Sequence, residues 1–351
     1  MICQVATVLT LFANTVVSLI ISRRQVFPSF TSRAILGCKN NKTVLTMNSK
    51  IMGKSFVSIE EGIQAIDEEA IFVDGSWWLG KVRDARGEYE AGPRIAGAKL
   101  FDIDDVAERD KTLNPKGLPH MAPSKQLFAA AMDALGICNN HHVIVYGTDG
   151  CMTASRAYIT FKSMGHNPTK VHLLQGSLKE WKEKGGPIEV GPTSTILADD
   201  LDLSKPAIYQ ATDANGFCDM AQVLDIVSTN HPGVILDARS AGRFQGTEPE
   251  PRPGLRLGHM PGAVNIPFQT LLEGPNDWTK LKSVEELCSV FQNAGIDIYD
   301  NRVFVCTCGS GVTAAVIAAA LEKCGRFRSN TLIYDGSWIE WGGDPNTPII
   351  H

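Results

Sequence analysis

Residues 302–321 read RVFVCTCGSGVTAAVIAAAL. The apolar and β-branched start predicts a buried strand, Arg302 to Cys306, and the alanine-rich end predicts a helix within Val312 to Cys324. Continuous apolar strands are typical of parallel sheets that are covered on both faces. Between strand and helix lies a short loop with two glycines and one cysteine. The stretch therefore predicts one strand–loop–helix unit of an α/β domain.

The same alternation of strand and helix runs through most of the chain. Further strands are predicted at Val143 to Tyr146, Val171 to Leu174 and Val234 to Leu236. Further helices are predicted at Ser124 to Leu135, Ser155 to Met164 and Ser283 to Asn293. Ser283 and Glu286 have the spacing of a capping box, which marks a helix start. We therefore predict an α/β fold with mostly parallel sheets flanked by helices.

An internal repeat organises this pattern. Gly176, Ser177, Glu180 and Trp181 recur 160 residues later, as Gly336, Ser337, Glu340 and Trp341. Asp74 at the end of Ile71-Phe-Val-Asp similarly matches Asp237 at the end of Val234-Ile-Leu-Asp. Matches in the same order indicate a duplicated domain. We predict a leader at residues 1–55, a first domain at 60–190, a linker at 191–215 and a second domain at 216–351.

The leader differs in composition from the rest of the chain. It has an apolar run from Val5 to Ile21 and seven basic residues, whereas the first acidic residue is Glu60. Such a basic, hydroxylated, acid-free segment favours a mitochondrial presequence that is removed from the mature protein. A secretory signal, a plastid leader and a short membrane anchor are the alternatives. Initiation at Met47 or Met52 would give a cytoplasmic form.

Composition excludes several classes of function. The net charge is −5 in 351 residues, and without the seven leader residues the remaining 26 basic and 38 acidic side chains give −12. Such a chain has no basic surplus for a nucleic-acid backbone. Nine scattered cysteines fit neither a disulfide-rich scaffold nor a zinc module. We expect no metal, no nucleic acid and no stable membrane insertion.

The chemistry is predicted at Cys308. Gly309 and Gly311 allow successive backbone N–H groups to surround the sulfur, and the following helix presents its positive end. Both effects favour a thiolate or the terminal sulfur of a persulfide. A phosphatase would need an arginine six positions after the cysteine to clamp phosphate, but Ala314 stands there. An inert core thiol is the remaining alternative.

Four motifs together resemble the tandem-domain rhodanese superfamily, and within it the sulfurtransferases that use 3-mercaptopyruvate. They are the Cys308–Thr313 loop, the Ser240–Arg252 segment, the Gly258–Ala263 turn and the Tyr334–Trp341 segment. The resemblance covers about Glu60 to the C-terminus. In that superfamily Cys-Gly-Ser-Gly-Val-Thr is typical of mercaptopyruvate users, whereas thiosulfate users resemble Cys-Arg-Lys-Gly-Val-Thr. The resemblance therefore implies mercaptopyruvate as the donor.

The resemblance also implies which residues act. Arg243 and Arg252 would bind the carboxylate and keto groups of the donor, together with the loop residues Gly309, Gly311, Val312 and Thr313. Cys308 would be the nucleophile, and Ser310, His120 and Asp104 would form a proton-transfer set that spans both domains. Solvated surface residues are the alternative for the arginines and for His120. Arg239, Arg256 and His259 are expected to be structural.

The implied reaction is a ping-pong transfer of sulfane sulfur through a Cys308 persulfide, without a cofactor. Pyruvate leaves, and the sulfur passes to thioredoxin, to small thiols with release of hydrogen sulfide, or to cyanide. The alternatives are a thiosulfate sulfurtransferase and a sulfur-relay protein that feeds a carrier protein or tRNA thiolation.

Two further cysteines call for an interpretation. Thr148 stands 160 residues before Cys308, so the first domain is expected to be catalytically silent, with a second active thiol at Cys151 as the alternative. Cys306 lies two positions before Cys308 on the same strand face. It is either a small buried strand residue or a partner for Cys308 in a redox switch.

Overall fold

The computed structural model describes residues 49–351 except 152, 230–231, 275–277 and 327. Nearly all of the predicted leader, including Met47, lies outside the described residues. Within them, no helix is both apolar enough and long enough to cross a membrane.

The first domain is built on a parallel sheet of five strands in the order β1-β6-β5-β2-β4. These strands are β1 (Phe56–Ser58), β2 (Ile71–Asp74), β4 (Lys99–Leu100), β5 (Val143–Tyr146) and β6 (Val171–Gln175). A separate antiparallel pair joins β3 (Arg94–Ile95) and β7 (Ile188–Glu189). The helices are α1 (Ile59–Ala65), α2 (Ala85–Ala91), α3 (Ile103–Val106), α4 (Lys125–Leu135), α5 (Ala154–Ser163) and α6 (Leu178–Glu183).

The second domain repeats this topology. Its parallel strands lie in the order β10-β9-β11-β12-β8. They are β8 (Phe217–Cys218), β9 (Val234–Asp237), β10 (Val264–Asn265), β11 (Phe304–Thr307) and β12 (Thr331–Tyr334). The helices are α7 (Met220–Ser228), α8 (Ala241–Phe244), α9 (Val284–Asn293), α10 (Ala314–Lys323) and α11 (Ser337–Trp341). Two matching parallel sheets flanked by helices confirm the predicted fold class.

The predicted elements are present with small shifts at their ends. Ser124 caps α4 by accepting a hydrogen bond from the backbone N–H of Leu127, and Ser283 and Glu286 form the expected capping box on α9. The strand predicted at Arg302 to Cys306 instead runs Phe304–Thr307, because its pairing with β9 continues as far as Thr307 and Asp237. The segment predicted as a linker contains one short 3₁₀ turn, Ala198–Asp200.

The two domains share one continuous hydrophobic core, formed around α5 and α10. Every residue of α5 is buried, as are the first eight residues of α10. Lys162 of α5 forms an ion pair with Glu322 of α10, and both side chains are largely buried. The packing of these helices places the Cys308–Thr313 loop beside α5, where Arg156 Nη1 donates to the Gly311 carbonyl at 3.0 Å.

Candidate active site

Cys308 lies immediately after β11, at the carboxyl end of the central strand of its sheet. Only 2% of the surface of Cys308 is exposed to solvent. The Cys308 N–H donates to Ser337 Oγ at 3.3 Å, and the carbonyls of Cys308 and Gly309 accept from Trp338 and Ile339 of α11. The loop that carries the thiol is therefore held by the start of the last helix.

The cysteine loop presents a row of backbone donors. In the described part of the chain, no hydrogen bond is formed by the backbone N–H groups of residues 309–313. Gly311 has a φ of +77°, a conformation that glycine adopts without steric cost. The ten-residue helix α10 begins directly after this loop, so its positive end adds to the donors. Such a loop can stabilise a negatively charged sulfur.

Ser310, His120 and Asp104 form a connected set across the two domains. His120 Nδ1 lies 3.0 Å from Ser310 Oγ, and His120 Nε2 lies 3.1 Å from Asp104 Oδ1. His120 is 2% exposed, whereas the Asp104 side chain is 62% exposed. The structure thus brings together three residues that the sequence separates by up to 206 positions.

The environment of Asp104 favours its ionised form. Burial opposes ionisation, but the hydrogen bonds from His120 and from the indole of Trp77 hold the pKa of Asp104 below its ordinary value. The Trp77 Nε1–H donates to Asp104 Oδ2 at 3.0 Å. A His120 tautomer with the proton on Nε2 would donate to Asp104 and would leave Nδ1 as an acceptor for the Ser310 hydroxyl.

Arg243 and Arg252 both lie beside the cysteine loop. An ideal Cβ placed on Gly309 would lie 3.0 Å from Nη2 of Arg243 and 3.9 Å from Nη1 of Arg252. Arg243 donates two hydrogen bonds to the Glu250 carboxylate, from Nε at 3.2 Å and from Nη2 at 2.6 Å, so Glu250 orients the guanidinium. Arg252 forms no hydrogen bond or ion pair with any described residue. Burial lowers the pKa of Arg252, and the charge of the Cys308 thiolate acts in the opposite direction.

The neighbouring basic residues have structural contacts. Arg239 is fully buried between Asp237 and Glu250 and stacks on Trp338 at 4.0 Å. Arg256 donates to a set of backbone carbonyls near the C-terminus, those of Trp341, Gly342, Asp344 and Thr347. His259 donates through Nδ1 to the Phe244 carbonyl at 2.9 Å. None of these groups points to the cysteine loop.

Cys151 and Cys306, the two further cysteines considered in the sequence, lack the environment of a reactive thiol. The Cys151 thiol contacts Thr153 Oγ1 at 2.9 Å and the Trp77 carbonyl at 3.7 Å, and burial raises its pKa. Cys306 is fully buried in β11, and burial raises its pKa well above the ordinary range for a thiol. A thiol that is buried and protonated is a poor nucleophile. The structure favours the interpretation of Cys306 as a small buried strand residue and of the first domain as silent.

Arg156 has a role at the site that the sequence did not reveal. Its guanidinium, 2% exposed, donates from Nη1 to the carbonyl of Gly311 at 3.0 Å and from Nη2 to that of His120 at 2.7 Å. It also forms an ion pair with Asp335 at 3.0 Å. His120 has a φ of +60°, so Arg156 secures a backbone conformation that costs free energy. One buried side chain therefore joins the histidine loop to the cysteine loop.

Three other contributors were also missed. They are Trp77, Glu250 and Ser337. The only sequence signal for Ser337 was the repeated Gly-Ser pair, and Trp77 stood out only as one of two adjacent tryptophans after a strand. Within the residues that the structure describes, no group of three or more His, Cys, Asp or Glu side chains could hold a metal ion.

Comparison with known proteins gives a consistent result. The family model described as "Rhodanese-like domain" matches twice, at residues 73–184 and 219–344. Human 3-mercaptopyruvate sulfurtransferase is 36% identical over 77% of this chain and 84% of its own length. The Arabidopsis thaliana protein "Thiosulfate/3-mercaptopyruvate sulfurtransferase 1, mitochondrial" is 33% identical over 84% of this chain and 79% of its own length.

A solved structure supports the same grouping. The yeast mitochondrial complex I sub-stoichiometric sulfur transferase subunit superposes with a TM-score of 0.71 at 32% identity, covering 85% of this chain and 99% of that one. The duplicated fold, the cysteine loop and these similarities lead to one assignment. The chain belongs to the rhodanese family of sulfurtransferases and carries two rhodanese-like domains in tandem.

Proposed function

We propose that this sulfurtransferase takes sulfane sulfur from 3-mercaptopyruvate onto Cys308 and passes it to a thiol acceptor. The observation that carries the proposal is the position of Arg243 Nη2, only 3.0 Å from where a Cβ on Gly309 would lie. An arginine at position 309, as in the thiosulfate-type loop, would crowd Arg243 with like charge. The uncharged Gly309-Ser310 pair instead leaves space for a carboxylate and a keto oxygen to bind Arg252 and the N–H groups of Arg243 that Glu250 does not occupy.

The first half of the reaction forms the persulfide. The Cys308 thiolate attacks the donor sulfur, the sulfur–carbon bond breaks, and its electron pair leaves on pyruvate enolate. Arg243 and Arg252 stabilise the developing negative charge, and the backbone donors of residues 309–313 stabilise the sulfur. The sulfur is held covalently, so the reaction uses no cofactor.

The set of Ser310, His120 and Asp104 moves the proton. His120 Nδ1, 3.0 Å from Ser310 Oγ, accepts the donor thiol proton through the serine hydroxyl. The same proton then returns to the enolate carbon, which gives pyruvate. Asp104 stabilises the histidinium that exists between these two transfers.

In the second half of the reaction, the outer sulfur is transferred from the Cys308 persulfide to the acceptor. A thiolate acceptor attacks the outer sulfur of the persulfide, and Cys308 leaves as a thiolate. A second thiol of the acceptor then displaces hydrogen sulfide and forms a disulfide, which suits a dithiol such as thioredoxin.

A mitochondrial Arabidopsis relative and a mitochondrial yeast structure at 32–33% identity support the proposal that the leader directs import into mitochondria.

Steady-state kinetics tests the choice of donor. We expect kcat/KM for 3-mercaptopyruvate, with thioredoxin or cyanide as acceptor, to exceed that for thiosulfate by at least tenfold, a difference of about 1.4 kcal/mol. Cys308→Ser should remove both activities, whereas Cys306→Ser should retain them. A higher kcat/KM for thiosulfate would contradict the proposed donor.

A further inference from the structure

Trp77 is a side chain of the silent first domain that reaches the active site. It lies three residues after Asp74, the last residue of β2, at the carboxyl end of the first sheet. By the match of Asp74 to Asp237, its counterpart in the second domain is Ser240, in the segment that leads to the substrate arginines. The first domain has therefore kept a contact with the active site through this loop, although its counterpart of Cys308 is Thr148.

A loop of the first domain holds the backbone of Trp77 in place. Its backbone N–H donates to Thr153 Oγ1 at 2.8 Å, and its carbonyl accepts from the Cys151 thiol at 3.7 Å. Thr153 and Cys151 belong to the segment that corresponds to the cysteine loop of the second domain. These contacts fix the backbone from which the indole projects.

The indole contacts two members of the proton-transfer set. Its Nε1–H donates to Asp104 Oδ2 at 3.0 Å, while Oδ1 of the same carboxylate lies 3.1 Å from His120 Nε2. The indole and imidazole rings are 4.6 Å apart at 76°, an edge-to-face arrangement. Trp77 thus contacts Asp104 and His120 together.

The exposure of Asp104 is the reason such a contact matters. Because 62% of its side chain is exposed, Asp104 is held mainly by its hydrogen bonds to His120 and Trp77. Arg109 and Arg252 also lie close enough to interact electrostatically with this carboxylate. An indole donor on Oδ2 leaves only Oδ1 to face His120.

We propose that Trp77 is a positioning residue for proton transfer, whose indole N–H holds Asp104 so that His120 keeps its Nε2–H tautomer. In that tautomer Nδ1 faces Ser310 as an acceptor, which is the state that the first proton transfer needs. The inference rests on the proposed function for its catalytic meaning. The tautomer itself is a property of the resting protein and can be measured without substrate.

The chain offers a matched control at the next position. Trp78 has a buried indole nitrogen with no hydrogen-bond partner in the described chain, and its ring stacks with Arg83 at 4.2 Å. Trp77→Phe removes the donor on Asp104 and keeps an aromatic ring beside His120. Trp78→Phe makes the same chemical change without touching the proton-transfer set.

The test combines ¹⁵N NMR of histidine-labelled protein with kinetics. Spectra are recorded on the full chain above the ordinary histidine pKa of about 6.5, and the His120 signals are assigned by their loss in His120→Gln. We expect wild type and Trp78→Phe to show His120 with Nε2 protonated. Trp77→Phe should show both tautomers, and its kcat should fall about tenfold with little change in KM, a loss of about 1.4 kcal/mol.

A pure Nε2–H tautomer in Trp77→Phe overturns the inference, whatever the kcat of that variant. Equal losses of kcat in Trp77→Phe and Trp78→Phe would also overturn it, because they would indicate general damage to the loop. If wild type does not use 3-mercaptopyruvate, the proposed function fails, while the NMR comparison still decides whether Trp77 sets the tautomer.

Discussion

Gly309 and Gly311 have different constraints within the cysteine loop. Gly311 combines a φ of +77° with an ideal Cβ position 2.9 Å from Nη1 of the buried Arg156. Gly309 lacks a positive φ, and its Cβ would meet the flexible end of Arg243. The fold of the loop therefore requires Gly311, whereas Gly309 leaves space for the Arg243 guanidinium.

Alanine substitutions should separate these two roles. Gly311→Ala should lower the free energy of unfolding by about 1–3 kcal/mol, because of backbone strain, and remove most activity. Gly309→Ala should change stability by less than about 0.5 kcal/mol and raise KM for the donor by displacing Arg243. Chemical denaturation and steady-state kinetics measure both effects. A larger loss of stability in Gly309→Ala would contradict this assignment.

At the scale of elements, the strand–loop–helix unit from β11 to α10 was readable from sequence. Its apolar runs, glycines and cysteine are local signals, whereas the arginine segment was identified only through the family resemblance. The end of β11 was not readable, since it depends on the register with β9. Trp77 and Arg156 were missed because their partners are not their neighbours in the chain: Trp77 and Asp104 are 27 positions apart, and Arg156 and Gly311, in different domains, are 155 positions apart. No local pattern records a contact between two domains.

Arg156 gives a prediction at this scale, because it links α5 to the loops of both domains. Arg156→Met would leave Asp335 buried without its cation, and burial already raises the pKa of Asp335. The cost should be about 3–5 kcal/mol of stability together with a large loss of kcat. Adding Asp335→Asn should restore much of the stability, since no unpaired charge remains.

Activity should stay low in this double variant. The carbonyls of Gly311 and His120 would still lack the donor that Arg156 supplies. Denaturation and kinetics of the two single variants and the double variant measure the coupling. Full recovery of kcat in the double variant would contradict the role of Arg156 as a link between the loops.

For the whole molecule, a cluster of buried histidines predicts how stability depends on pH. Burial lowers the pKa of His166 and of His172 to about 4. His166 contacts the Tyr209 hydroxyl at 2.8 Å, and His172 contacts His142 at 2.9 Å. Both stay neutral in the folded protein where an unfolded chain, with a histidine pKa of about 6.5, binds protons. Folding stability is therefore lost as the pH falls.

The linkage between protonation and folding gives the pH range and the size of this loss of stability. Between about pH 6.5 and pH 4 these two histidines bind up to two more protons in the unfolded chain, so they should lower the free energy of unfolding by at most about 2.7 kcal/mol per pH unit. His166→Gln or His172→Gln should each reduce the slope, whereas His351→Gln, at an exposed position, should not. Urea denaturation at a series of pH values measures it. An unchanged slope in both buried variants would contradict the assignment.

The duplication explains the division of work in the molecule. The second domain contributes Cys308, Ser310 and both arginines, while the first contributes His120, Asp104 and Trp77 through loops at the edge of the shared cleft. The duplication and the fold class were predictable from repeated motifs. The predicted domain boundaries and the cleavage of the leader stay predictions.

Mass spectrometry of the protein after incubation with 3-mercaptopyruvate tests the central claim most directly. We expect one added sulfur atom, on the peptide that contains Cys308, and its loss when thioredoxin or cyanide is added. Cys308→Ser should gain no sulfur, while Cys151→Ser should gain it as wild type does. A sulfur found on Cys151 or Cys306 with Cys308 unmodified, or no added sulfur at all, would contradict the account.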